Sequence, residues 1–259
     1  MKPIFETKKN ALPISVYQTD KDMGLAAAQD AREVIQKAIE AHGQANIIIA
    51  TGNSQLAFLE AVSALDGIDW AKVNIFHMDE YVGIAPNHPA SFPKFLHEHI
   101  VDIVKPRNFY PVPGAAGNIE EACDEYEKLL RENPADLCVL GIGENGHLAF
   151  NDPPLARFDE TRWVKVVQLT ESCKRQQVGE GHFKSIDEVP KSAITLTIPA
   201  LLAAKRVLAI VPEARKAEIV YQTLNGPIDP LCPASILRQT SHCHLYLDAN
   251  SGARVMGLS

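Results

Sequence analysis

The sequence has 259 residues, 46% of them hydrophobic, with 25 basic against 32 acidic side chains and a formal charge of −7. That is enough chain for one α/β domain with a sizeable core, and the acidic balance argues against a nucleic-acid partner, which needs a basic face. No stretch approaches the roughly 18 apolar residues of a membrane span, so no membrane partner is expected. The N-terminal run MKPIFETKKNALPISV lacks the apolar centre of a secretory signal. Cys123, Cys138, Cys173, Cys232 and Cys243 form no C-x-x-C pair and read as reduced thiols of a cytoplasmic protein.

In chain order, Thr19 and Asp22 are placed to cap a helix carrying Leu25, Val34, Ile35 and Ile39. Asn46 to Ala50 is a continuous apolar run, as a buried parallel strand should be. Val73 to His77 is a second strand. Ser91 caps a helix through Val104, and Asn118 caps the charged helix IEEACDEYEKLLREN, which reads as a solvated outer face. Further strands are expected at Asp136 to Leu140, Trp163 to Leu169, Ala193 to Thr197, Val207 to Val211 and His244 to Leu247, with a helix from Glu213 to Leu224. The alternation predicts a single α/β domain over residues 1–259 with a doubly wound, mostly parallel, Rossmann-like sheet and helices on both faces.

Three strand ends carry unusual residues. After the first buried strand, Thr51, Gly52, Asn53 and Ser54 offer small side chains and a helix N-terminus, which suits a phosphate. The same residues also read as an ordinary turn with Ser54 as N-cap. In HMDEYVG, Asp79 and Glu80 are neighbours on extended backbone, so only one of them enters a given pocket. A carboxylate there could move a proton beside a carbonyl; a solvated strand end is the plainer reading. In GIGENGHLAFNDPP, Gly141, Gly143 and Gly146 surround Asn145 and His147. Such a loop can approach a ligand closely, and His147 suits proton transfer near neutral pH. Asp152 is spaced to orient its imidazole. The G-x-G-x-x-G spacing alone is weak evidence for a dinucleotide, and the acidic ribose ligand expected after it is not convincing. His242 and His244 share one face of a strand, but no further metal ligands accompany them.

ATGNS, HMDEYVG, HPASF (88–92) and GIGENGHLAFNDPP together resemble the glucosamine-6-phosphate deaminase family, within the superfamily shared with 6-phosphogluconolactonases. The resemblance runs from about Ile47 through Lys216. It implies conversion of an amino-sugar 6-phosphate to fructose 6-phosphate and ammonia, without metal or organic cofactor. It implies Asp79 as the base between C2 and C1, His147 as the ring-opening catalyst, and Asn145 and Asp152 as its supports. Thr51, Gly52, Asn53, Ser54, Glu80, Gly146 and Lys216 are then substrate-binding. A lactonase would carry Arg and Thr where this chain has Tyr81 and Leu148. Asn145 stands where many members have Asp, and Asp152 where Glu is usual. The segment around 152–190, lid-like in the family, carries RQQVGEGHF, and either Arg175, Lys184 or neither replaces the family's second phosphate arginine. The alternatives are a lactonase, another sugar-phosphate isomerase, or a sugar-phosphate sensor without turnover. A homo-oligomer is compatible with the sequence.

Overall fold

The computed structural model describes residues 2–257 apart from 180 and 182. The chain opens with a hairpin, β1 (Phe5–Lys9) and β2 (Leu12–Tyr17), then α1 (Asp20–His42), β3 (Ala45–Ile49) and α2 (Leu56–Ala64). Next come β4 (Val73–His77), β5 (Asp79–Tyr81), α3 (Phe92–Leu96), a π-helical turn (His97–Val101), α4 (Asp102–Val104) and β6 (Asn108–Tyr110). The second half contains α5 (Ile119–Glu132), β7 (Leu137–Leu140), β8 (Val164–Gln168), α6 (Glu171–Gly179), β9 (Ser192–Leu196), α7 (Ile198–Leu202), β10 (Arg206–Val211), α8 (Ala217–Asn225) and β11 (Cys243–Asp248).

Among the described residues, eight strands form one sheet in the order β1-β2-β11-β10-β7-β3-β4-β6. Every pairing in it is parallel except β1 with β2. One core lies on each face. Ile47, Ile49, Val73 and Ile75 meet α1, α2 and the π turn on one side. Ile48, Phe76, Cys138 and Ala209 meet α5, α7 and α8 on the other. The doubly wound α/β expectation is therefore met, with strand bounds within a residue or so of those read from sequence.

The sheet also departs from that reading. β8 and β9 do not join it. They form a separate antiparallel sheet with β5, in the order β5-β9-β8. β5 follows β4 after a single residue, Met78, so the segment bearing Asp79 leaves the main sheet and is held by a second one. The helix expected from Ser91 to Val104 is interrupted by its π turn, and the helix expected from Glu213 opens as a short 3₁₀ turn before α8. α5 is not wholly solvated: Ala122, Cys123, Tyr126 and Leu130 are buried.

Capping behaves as read. Thr19 accepts from the Asp22 amide at 3.1 Å, and Asn118 from that of Glu121 at 3.3 Å. The buried face of α1 is mostly alanine, with Met23, Ala27, Ala31, Ile35 and Ala38, because the helix packs close to α2. Gly24 sits at the contact, where a Cβ would lie 2.6 Å from the Ala57 carbonyl carbon. No helix among the described residues is long and apolar enough to cross a membrane.

Gly24→Val should destabilise the fold by about 1–3 kcal/mol, because backbone cannot yield as a side chain would. Chemical denaturation of the variant against the parent measures this directly.

Candidate active site

The chain winds outward in two directions from the pair β3 and β7, to β4 and β6 on one side and to β10 and β11 on the other. The loops after β3 and β7 therefore part, leaving a crevice at the carboxyl ends of the strands, where ligands bind in open α/β sheets. A cavity occupies it. Thr51, Gly52, Asn53 and Ser54 line it from β3, Asp79 from β5, Gly143 and His147 from β7, and Arg215 and Lys216 from β10.

The Thr51–Ser54 loop turns at Gly52, whose φ is +99°. Ser54 does not cap α2. It lies in a 3₁₀ turn, and its hydroxyl accepts from the Gln55 side chain at 3.0 Å. The capping alternative is set aside by this geometry, and the loop faces the cavity instead. Lys216 is buried, and its ammonium donates to the Ile142 carbonyl at 2.9 Å beside the cavity wall. Arg215, which sequence reading passed over, lines the same end while bonded to Glu144 at 2.7 Å and Glu213 at 2.6 Å. Its place next to Lys216 was the available signal. Two cations thus serve one pocket of an acidic chain.

Asp79 and Glu80 separate as the strand alternation requires. Asp79 faces the cavity. Glu80 faces away, accepting from the Tyr81 amide at 2.8 Å, the Ser91 hydroxyl at 2.9 Å and the Phe92 amide at 3.1 Å. Expected to bind substrate, it does not line the cavity and instead braces the start of α3. Burial raises both carboxyls. Asp79 is pushed up to about 8, with the Glu80 charge adding to the effect. Glu80 reaches about 7, its three bonds opposing burial.

His147 rests on Gly143. A Cβ there would lie 2.1 Å from the imidazole, so only glycine seats the ring. Asn145 Oδ1 accepts from the His147 amide at 3.1 Å and lies 2.7 Å from ring Nδ1. The Asn145 amide in turn donates to Asp152 at 2.6 Å, which fixes the oxygen toward histidine. An oxygen can only accept, so Nδ1 carries the proton and Nε2 is left as the ring's proton acceptor. Asp152 also lies 3.2 Å from Nδ1. Burial opposes its ionisation, but bonds with His147, Asn145 and Cys173 and the His147 charge hold it below the usual carboxylate range. Asn145 and Asp152 therefore stand behind the imidazole.

Gly146, also expected to bind substrate, lies behind the cavity wall. Its amide donates to the Gly143 carbonyl at 3.0 Å. Its φ is +85°, and its Cα faces Cys232, whose Sγ would lie 3.1 Å from an added Cβ. It shapes the loop and does not line the cavity. Within the 152–190 segment, Gln176 and Gln177 of α6 reach the cavity, whereas Arg175 pairs with Glu171 at 2.7 Å and neither it nor Lys184 lines the site. Positions 180 and 182 of that segment lie outside the described residues. His242 and His244 do not converge: one ring bonds the Leu202 carbonyl at 2.9 Å and the other Ser15 at 2.9 Å.

The sequence matches the family described as glucosamine-6-phosphate isomerases/6-phosphogluconolactonase over residues 18–246. The chain belongs to this family. Glucosamine-6-phosphate deaminase from Exiguobacterium sibiricum is 36% identical over 205 residues, 79% of each chain. That from Lactobacillus delbrueckii subsp. bulgaricus is 35% identical over 237 residues, 92% of this chain and 97% of its own. The solved structure of a monomeric glucosamine-6-phosphate deaminase superposes with a TM-score of 0.84 at 26% identity, covering 95% of this chain and 99% of that one. A 6-phosphogluconolactonase from Shewanella baltica shares the fold with a TM-score of 0.75 at 19% identity, over 91% of this chain and 97% of its own. Within the family, this chain pairs a buried carboxyl with an oriented imidazole across one cationic pocket.

The raised Asp79 carboxyl has a consequence for stability. Between its ordinary value and about 8, the folded state holds a proton that the unfolded state has lost. Folding stability therefore falls as pH rises through that window. Asp79→Asn removes this loss, so its gain in Tm over the parent should grow from pH 5 to pH 8 in thermal melts.

Proposed function

We propose that the protein is a glucosamine-6-phosphate deaminase of the cytoplasm, converting an amino-sugar 6-phosphate and water to fructose 6-phosphate and ammonia. The observation that carries the reading is the meeting of Asp79, His147 and Lys216 in one cavity. The Thr51–Ser54 loop and Lys216 take the phosphate. His147 Nε2 removes the anomeric hydroxyl proton and returns it to the ring oxygen as the ring opens. The carboxylate of Asp79 then takes the C2 proton, leaving an enolamine. Protonation at C1 by the resulting carboxylic acid gives an iminium at C2. Water adds there and ammonia leaves, so the ketone forms with no external oxidant or reductant. Each positioned proton transfer contributes roughly 10²- to 10⁴-fold.

Asp79 needs its charge for the C2 step, and a carboxyl poised near neutrality can both take and return a proton. Tyr81 supports this reading over a lactonase. It is fully buried among Phe92, Phe150 and Phe183 and donates to Gln177 at 2.6 Å, so that position supplies packing and no cation. The five cysteines are all free thiols, which suits the proposed compartment.

Ammonia release from glucosamine 6-phosphate tests the proposal. Turnover is expected with the phosphate ester and none with free glucosamine, and Lys216→Ala should mainly raise KM. Release from neither sugar, with hydrolysis of 6-phosphogluconolactone, would transfer the assignment to the lactonase branch. Asp79→Asn should lower kcat by at least about a hundredfold while substrate still binds. The role of His147 is separable, because 2-amino-2-deoxyglucitol 6-phosphate is already open. His147→Ala should abolish turnover of the cyclic substrate yet weaken this inhibitor by only about 1 to 2 kcal/mol in calorimetry.

A further inference from the structure

His77 is the last residue of β4, two positions before Asp79. On extended backbone such residues point to the same side. Its ring is fully buried, and among the described residues neither ring nitrogen has a hydrogen-bond partner. Buried polar groups left in that state call for an explanation. Nε2 lies 3.7 Å from Asp79 Oδ1. That is beyond hydrogen-bond range, and catalytic bonds are often long before substrate arrives.

The rest of the surroundings hold the ring in place. Tyr126 of α5 clamps the His77 backbone, accepting from its amide at 3.1 Å and donating to its carbonyl at 2.8 Å. Phe92 meets the ring edge-on at 6.0 Å between centroids. Between the two residues, the Met78 carbonyl accepts from Leu196 at 2.8 Å, tying the connection to β9. His77 does not line the cavity, so it acts on substrate only through its neighbour.

We propose that His77 is a positioning residue for the proton-transfer step: its neutral imidazole donates from Nε2 to the Asp79 carboxylate and keeps that carboxylate aimed into the cavity. Burial drives the imidazole down to about 3, which keeps it neutral at working pH. Neutral imidazole has one N–H to give, and the Asp79 carboxylate lies 3.7 Å from Nε2. The bond favours the ionised carboxylate and so opposes the burial that raises it. The other titratable groups around Asp79 are Glu80, next on its strand and turned away from the cavity, Tyr126 on α5, and His147, Arg215 and Lys216, which line the same cavity.

The inference rests on the deaminase reading for its turnover assay, so parental ammonia release is measured first, and its absence would count against that reading alone. His77→Phe keeps a planar aromatic ring, somewhat larger than imidazole, and deletes both nitrogens. His77→Gln places an amide nitrogen near the Nε2 position. His77→Phe should lower kcat by about tenfold with KM changed less than about twofold. Loss of a donor to the carboxylate favours its protonated form, so the acid limb of kcat/KM should move up by about one pH unit. His77→Gln should recover most of both. Parental kcat and pH profile in His77→Phe, or an equal loss in His77→Gln, would overturn the proposal. An independent measurement needs no variant and no turnover: nitrogen NMR of the histidine-labelled parent should show His77 as the Nε2–H tautomer, its Nε2 signal moving as Asp79 titrates. An Nδ1–H tautomer or an unmoved signal would also overturn it.

Discussion

The pairing of β3 with β7, Ile47 beside Leu137 and Ile49 beside Val139, is the contact on which the rest of the structure depends. These strands are distant in sequence, and the chain winds away from them in opposite directions. Their following loops must therefore diverge, because the chain after β3 turns into α2 while the chain after β7 crosses to β8 of the small sheet. The gap so made collects the Thr51 loop, the His147 loop and the ends of β4 and β10 without any of them being adjacent in the chain. The Ala50 amide extends the ladder by donating to the Val139 carbonyl at 3.0 Å, so order reaches the mouth of the crevice. Apolar residues on both faces of the strands keep this arrangement rigid.

That rigidity is what allows a carboxyl to stay where it is poorly solvated. A buried carboxylate is costly unless it is paired or hydrogen-bonded. The two neighbours meet this cost differently. Glu80 receives three donors and ties β5 to the start of α3. Among the described residues Asp79 receives none within hydrogen-bond distance, and it sits at the cavity with a raised affinity for its proton. A group in that state is poised to exchange protons, and the small sheet of β5, β9 and β8 holds it there through the pairing of Asp79 with Thr195.

The imidazole opposite is oriented by an amide and a carboxylate that fit each other. The neutral amide of Asn145 can receive from His147 and give to Asp152 at once. A second carboxylate at 145 would face Asp152 with like charge at the same 2.6 Å. The shorter Asp152 side chain comes within 3.2 Å of Nδ1 and is bridged to it through the amide. One negative charge, relayed through one amide, then orients the ring. The glycine at 143 is equally part of this, since the imidazole occupies the space a side chain would take.

Sequence alone determined the layered architecture, because period-two and period-3.6 patterns and caps such as Thr19 and Asn118 are local properties of the chain. It also determined that Asp79 and Glu80 would face opposite ways, and that the glycine-rich loop would present His147. It could not assign β8 and β9 to a second sheet, since an apolar run does not reveal its pairing partner. Which of the two carboxyls faces the cavity depended on how β5 leaves the main sheet. That Gly146 shapes a turn while Gly143 seats a ring depended on Cys232 and His147 arriving from elsewhere. Arg215 and His77 look like an ordinary helix cation and an ordinary core histidine until the fold sets one beside Lys216 and the other beside Asp79. Proximity between residues distant in sequence is decided by strand order and packing, and only the tertiary structure contains them.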